Sequence, residues 1–153
     1  MRGFEADLPG RLRHRGLAVR RTPSDNVIRQ VQSWRSGVIV SDFTSAEVSA
    51  AVSKRVRMKL DDVAAASTRL AAVDRFRASL PVAAPTEARD IRAAERLVRA
   101  FELKLRAPDA IHLAVCLRHN YQLATLDANL AFAARALGVA CINPAEDIGE
   151  QKS

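Results

Sequence analysis

The stretch from Arg106 to Asp127, which reads RAPDAIHLAVCLRHNYQLATLD, constrains the fold more than any other part of the chain. Pro108 suits the first helical position, which places Asp109 in the first turn, where the helix dipole and the unpaired amides favour an ionised carboxylate. Tyr121 to Leu126 is a short apolar run that predicts a strand, and a second helical pattern follows it. The stretch therefore predicts helix, strand and helix, with Asp127 at the strand end where open parallel sheets bind ligands.

A third carboxylate follows another predicted strand. Val38, Ile39 and Val40 form a continuous apolar run, which is typical of a parallel strand covered on both faces. The segment from Thr44 to Glu47 has the spacing of a capping box, in which Glu47 would reach back to the backbone at the helix start. The alternative is that Glu47 points into the same crevice as the two aspartates. Local sequence leaves both interpretations open.

Composition places the chain in the class of single globular domains. It has 153 residues, of which 48% are hydrophobic, and this is enough for a real core. It has no apolar run of about 18 residues, so no membrane-spanning helix is predicted. Cys116 and Cys141 lack the C-x-x-C spacing and no signal peptide is visible, so we expect a cytoplasmic protein with reduced thiols.

The remaining pattern alternates helices with strands, which predicts an α/β fold, a three-layer α/β/α sandwich around a mostly parallel sheet. The domain is expected over residues 23–143, after an atypical arginine-rich segment (1–22) and before a polar tail (144–153). Within residues 1–22 only a weak strand, Leu17 to Val19, is indicated. Helices are predicted over residues 23–34, 48–57, 61–80 and 86–103, and further strands over 81–84 and 139–142. Trp34 is expected to anchor the first helix in the core. A bend is expected between the second helix and the third.

Net charge is +7, but it is distributed unevenly. Residues 1–21 hold six arginines against Glu5 and Asp7, a net of +4, which leaves +3 for the rest of the chain. The folded part is therefore only mildly basic. The basic run from Lys54 to Lys59 has two interpretations: a solvated helix end, where cations suit the dipole, or a rim that contacts phosphates.

Three strings carry a family resemblance: GVIVSDFTSAEVSAA, APDAIHLAV and LATLDANLAFAARALGV. They resemble PIN-domain ribonucleases, most closely the VapC toxins of bacterial toxin-antitoxin pairs, over roughly Pro23 to Ile142. By this resemblance Glu47, Asp109 and Asp127 are the second, third and fourth acids of the family's catalytic cluster. The resemblance also implies an RNA substrate, a cognate VapB-like antitoxin protein as partner, and a homodimer.

Clustered carboxylates raise one another's pKa unless a cation neutralises them, and sites that offer only oxygen ligands select Mg²⁺ or Mn²⁺ over zinc. The resemblance implies a metal that activates water for attack on an RNA phosphodiester, with Glu47 and Asp109 as first ligands and Asp127 binding a second metal or positioning water. His112, three residues after Asp109, is expected to support the structure rather than to act in catalysis. Cys116 is expected in the core.

The family's first acid, which should follow the first strand, is absent. Asp7 is the only aspartate before Pro23, but it precedes a Pro-Gly turn and has no strand before it. Residues 8–21, LPGRLRHRGLAVRR, can be encoded by a string that, read one base later, gives YLDASVIVASLFA, a family-like first strand with its acid. We therefore hypothesise that this segment is a frame-shifted reading. The predicted function is a metal-dependent endoribonuclease impaired by its N-terminus; the alternative is a non-catalytic PIN-like protein that binds an antitoxin or RNA.

Overall fold

A computed structural model of the chain describes residues 15–18, 37–80 and 83–143. The described part contains five strands: β1 (Arg15–Ala18), β2 (Val38–Ser41), β3 (Ala83–Ala84), β4 (Gln122–Thr125) and β5 (Cys141–Ile142). Its helices are α1 (Asp42–Arg57), α2 (Val63–Ala78), α3 (Ala88–Arg99), α4 (Ala107–His119) and α5 (Ala128–Ala136), with a 3-10 helix at Phe101–Leu103. The strands form one parallel sheet in the order β3-β2-β1-β4-β5. The predicted α/β sandwich with a parallel sheet is confirmed.

The central strand of the sheet is β1, which lies in the segment that the sequence pattern left without a confident structure. Arg15 pairs with Val38 of β2 on one side and with Gln122 of β4 on the other. The domain therefore includes residues before the expected boundary at Pro23. Of the predicted strand Leu17 to Val19, the first two residues lie in β1. The helix predicted over residues 23–34, with its Trp34 anchor, lies outside the described residues, as does the tail from residue 144.

The strand β2 is an interior strand, as its continuous apolar run predicts. All four of its residues are buried, and it pairs in parallel with β1 and β3. The predicted edge strand between prolines is found as β3, at one end of the sheet. An edge position suits this segment because proline offers no N–H to a sheet ladder.

The helix α1 begins earlier than the capping-box interpretation requires. Its N-cap is Ser41, whose hydroxyl oxygen accepts a hydrogen bond from the Thr44 amide at 3.1 Å. Glu47 therefore lies in the second turn and does not cap the helix, so that interpretation is wrong. The bend predicted after α1 is confirmed: Lys59 adopts a positive φ of 57°, and Asp62 then caps α2 by accepting from the Ala65 amide.

The basic run at the end of α1 is exposed. Arg55 donates to Asp61 through two nitrogens, at 2.6 and 3.0 Å, and Arg57 donates to the Ser53 hydroxyl. These contacts are those of a solvated helix end that is tied to the following turn.

The helices α3 and α4 form an antiparallel pair around the main core. Ala94, Leu103 and Leu113 are among its buried side chains. The helix predicted to run to Leu103 ends at Arg99, and the 3-10 helix follows. Two residues of its predicted apolar face, Ile91 and Phe101, are exposed, so the buried face is narrower than predicted. None of the described helices has the length and apolar character needed to cross a membrane.

Candidate active site

The candidate site lies at the carboxyl ends of β2, β1 and β4, where helices α1 and α5 begin. The strand register shows that β1 and β4 end side by side, because Ala18, the last residue of β1, pairs with Thr125, the last residue of β4. Ser41 ends β2 at the same edge. Side chains that leave these strand ends therefore share one crevice, as expected for an open parallel sheet.

Asp127 lies where the sequence predicts it, between β4 and α5. Its Oδ1 accepts hydrogen bonds from the amides of Asn129 and Leu130, at 2.9 and 3.1 Å, and its own amide donates to the Thr125 hydroxyl at 3.0 Å. One carboxylate oxygen of Asp127 thus satisfies two of the amides that a helix start leaves unpaired. Asp127 is the N-cap of α5 as well as a candidate ligand.

Asp109 is the third residue of α4, so its predicted place in the first turn is confirmed. Pro108 occupies the second position of the helix, where it removes no needed hydrogen bond. The Asp109 side chain is buried.

Glu47 enters the site from the second turn of α1, and not from the helix start where the capping-box spacing places it. Its Oε2 lies 2.6 Å from Nε2 of His112, on α4. His112 is buried, and its ring meets the edge of Phe43 in a T-shaped contact with centroids 5.2 Å apart. His112 therefore holds Glu47 and packs against α1. This pairing links residues 65 positions apart, and no local pattern could have indicated it.

The three candidate carboxylates do not assemble into the set that a divalent cation would need. Within residues 15–18, 37–80 and 83–143, no three His, Cys, Asp or Glu side chains lie close enough together to hold a metal ion. An oxygen of Glu47 faces an imidazole, and Oδ1 of Asp127 accepts two amides. The last residue of β1 is Ala18, which has no side-chain oxygen that could bind a metal ion. Among the described residues, therefore, the side chains do not form the metal site that the family resemblance implies.

The other reactive side chains of α4 lie in the core or away from the acids. Burial raises the pKa of the Cys116 thiol to about 12, with a smaller effect from Cys141, so Cys116 is a neutral core thiol, as expected. At the far end of α4, burial lowers the pKa of His119, whose ring stacks on Tyr121 at 4.6 Å. Neither group adds a nucleophile or a base to the carboxylate edge.

A small cavity of about 20 Å³ lies behind His112, lined also by Ser41, Thr44 and Tyr121. It has room for about one water molecule.

Comparisons with known proteins agree with the fold described above. The PIN domain family matches residues 17–136, well over half of the chain. Similar solved structures include FitAcB from Neisseria gonorrhoeae, with a TM-score of 0.67 and 19% identity over 86% of this chain and 98% of that chain. The structure of VapBC2 from Rickettsia felis, bound to a DNA fragment from their promoter, has a TM-score of 0.60 and 14% identity over 84% and 97% of the two chains.

PAE2754 from Pyrobaculum aerophilum is also similar, with a TM-score of 0.57 and 19% identity over 85% of this chain and 84% of that one. Identities this low establish a shared fold, and comparison with curated protein sequences finds no match. The family match begins at residue 17, inside the central strand β1. On the extent of that match, the chain belongs to the PIN domain family.

Proposed function

We propose that this chain is a VapC-type PIN protein whose hydrolysis of RNA phosphodiesters is impaired, and that it keeps a VapB-like antitoxin as its partner. The resemblance of its motifs to VapC toxins and the fold that it shares with the VapBC2 structure support this class. The impairment follows from the lack of an acid at the end of the central strand, β1. Mg²⁺ or Mn²⁺ is the cation that an intact family site of this kind would use.

The observation that carries the proposal is the residue at the carboxyl end of β1. This strand lies between β2 and β4, so an acid at its end would stand between the helices that carry Glu47 and Asp127. The strand instead ends at Ala18, and the sequence continues with Val19, Arg20, Arg21 and Thr22. The next acid along the chain is Asp25. The position where the family expects its first acid is therefore apolar and is followed by two positive charges.

A second candidate function, non-catalytic binding of RNA or antitoxin, is favoured by the contact between Glu47 and His112. A carboxylate held at 2.6 Å by an imidazole has part of its charge satisfied already. To bind a metal ion, Glu47 would have to give up this contact. If that exchange is unfavourable, the chain keeps its binding surfaces and has no hydrolytic activity.

Cleavage of a mixed RNA pool in Mg²⁺ or Mn²⁺ distinguishes these functions. We expect slow cleavage that Asp109→Asn removes, because the family resemblance assigns Asp109 as a first metal ligand and Asn keeps its size without its charge. The melting temperature of the variant should stay within a few degrees of the parent, which separates loss of chemistry from loss of fold. Fast cleavage, or cleavage that survives Asp109→Asn, would contradict the proposal. RNA or antitoxin binding with no cleavage at all would favour the second function.

A further inference from the structure

The outer face of α3 carries a continuous row of arginines. Arg89, Arg92, Arg96 and Arg99 are spaced three, four and three residues apart, and all four are exposed. At about 100° per residue they fall within an arc of about 80°, and the row is about 15 Å long. Buried Asp90 and Ala94 lie on the other side of the helix, against the core. We call these four residues the arginine row.

The middle of the arginine row holds its least neutralised charge. Arg89 at one end is bound to Glu87 at 2.6 Å, and Arg99 at the other is bound to Glu95. Arg92 and Arg96 have no hydrogen bond or ion pair with any side chain in the described part of the chain. Two adjacent guanidinium groups therefore face solvent, at a separation of about 6 Å along the helix axis.

Exposed aromatic rings lie at the end of the row. Phe101, two residues after Arg99, is 82% exposed, and Phe132 on α5 is 61% exposed. The 3-10 helix that carries Phe101 packs against α5, so the two rings lie on neighbouring elements. Lys104 and Arg106, both exposed, follow along the chain. Phenyl rings with this exposure contribute nothing to the core and are available for stacking.

The row runs toward the candidate active site. Arg118, near the end of α4, binds Asp90 at the start of α3, so the two helices are antiparallel. The end of α3 that carries Arg99 therefore lies on the same side of this helix pair as the start of α4, which carries Asp109. Phe101 and Arg106 lie in the connection between them. A ligand lying along the row would reach the end of α4 where Asp109 is buried.

We propose that the arginine row and Phe101 form a docking track for single-stranded RNA that leads to Asp109. This inference rests on the proposed function, which supplies RNA as the substrate. A row of about 15 Å matches four or five phosphates of a stacked strand at about 3.4 Å each. Positive side chains that follow the backbone, with aromatic rings for bases, are the two elements that single-strand binding needs.

The surface fits a nucleic acid better than a protein segment. Arginine and aromatic residues are enriched in protein interfaces as well, but four like charges in a row of about 15 Å lack the mixed, partly apolar composition of such an interface. Nucleic-acid interfaces are more polar and strongly positive. A duplex keeps its bases stacked inside, so it would leave Phe101 without a partner.

Fluorescence anisotropy with a labelled mixed-sequence RNA strand, in EDTA and over a range of salt, tests the track. Because no cleavage is required, failure of this proposal is separate from failure of the proposed function. The logarithm of the RNA-binding constant falls linearly with the logarithm of the salt concentration, with a slope of about 0.7 per phosphate contact for single strands. Arg92→Gln combined with Arg96→Gln should therefore reduce the magnitude of this slope by about 1.4. Phe101→Ala should weaken binding about five- to a hundredfold without changing that slope.

Matched variants control for charge and for aromatic removal. Lys54→Gln combined with Lys59→Gln removes two charges from the basic run at the end of α1. Phe76→Ala removes an exposed ring from α2. Neither control should change RNA binding. The proposal is overturned if the lysine pair changes the slope as much as the arginine pair. It is overturned equally by tighter binding to duplex DNA than to RNA, by loss of antitoxin binding instead of RNA binding, or by a Phe101→Ala effect confined to dimer formation.

Discussion

A chain in which residues 8–21 are replaced by YLDASVIVASLFA is expected to cleave RNA at least about a hundredfold faster than the present chain in Mg²⁺ or Mn²⁺. The replacement brings in the LDAS string that the family resemblance associates with the first acid, and its aspartate would supply the carboxylate that the present chain lacks. Residues that only orient a metal ligand change affinity or activity by about 10- to 100-fold, so a missing ligand should matter at least as much. Initial rates on the same RNA pool measure the difference.

The matched control for this replacement is the string YLNASVIVASLFA, which restores the apolar strand without its charge. It should fold as the acid-containing chain does and cleave no faster than the present chain. Equal rates for all three chains would show that the missing acid does not limit activity.

The coding DNA decides where the segment came from: the frame-shift hypothesis fails if the shifted frame does not give an LDxS-like string.

Arg118→Ala is expected to lower the free energy of unfolding by about 3–5 kcal/mol, the usual cost of leaving one partner of a buried ion pair alone. The Arg118 guanidinium donates to both oxygens of Asp90, at 2.7 and 2.8 Å, to Glu87 at 2.9 Å and to the Pro85 carbonyl at 2.7 Å. Asp90 is 1% exposed. Removing Arg118 leaves the buried Asp90 carboxylate without its paired cation, with the Glu87 amide still donating to it at 2.8 Å. Urea unfolding at pH 7 measures the loss.

The pH dependence of this loss has a defined sign. Burial by itself would raise the pKa of Asp90, but the hydrogen bond from Arg118, the Glu87 amide and the guanidinium charge outweigh it and lower the pKa. The stabilisation is therefore present above the unfolded pKa of about 4 and is lost as pH falls through the folded pKa. The gap in stability between parent and Arg118→Ala should narrow below about pH 4.

Two further variants complete this test. Arg89→Ala removes an exposed arginine that pairs with the same Glu87, and it should cost less than about 1 kcal/mol. Adding Asp90→Asn to Arg118→Ala should recover part of the loss, because no buried charge then remains. If Arg89→Ala and Arg118→Ala destabilised the protein equally, the contact with buried Asp90 would not be the cause.

Elements with a strong local pattern could be predicted from the sequence. The continuous apolar run of β2 and the place of Asp127 between a strand and a helix were predicted correctly, because adjacent residues determine them. The membership of the PIN family was predicted for the same reason, since the motifs around Asp109 and Asp127 are contiguous. The start of α1 was missed because the capping-box spacing from Thr44 to Glu47 predicts a later start, whereas the helix begins directly after Ser41, the last residue of β2.

Features that depend on distant partners could not be predicted. The strand β1 has four residues flanked by arginines, and only its pairing with β2 and β4 on both sides gives it a place in the sheet. The contact between Glu47 and His112 joins α1 to α4, and that between Asp90 and Arg118 joins α3 to α4. Each of these polar contacts needs the tertiary fold before its two residues meet. Non-local pairing therefore accounts for the differences between the predicted and the observed site.

Titration of the protein with Mn²⁺, followed by the electron paramagnetic resonance signal of the free ion, tests the central claim most directly. The end of β1 is apolar and Glu47 is held by His112, so the present chain should bind Mn²⁺ no more tightly than millimolar, the range of weak, incompletely coordinated sites. The chain carrying YLDASVIVASLFA should bind it at least about a hundredfold more tightly. A stoichiometric micromolar Mn²⁺ site in the present chain, lost in Asp109→Asn, would contradict the account.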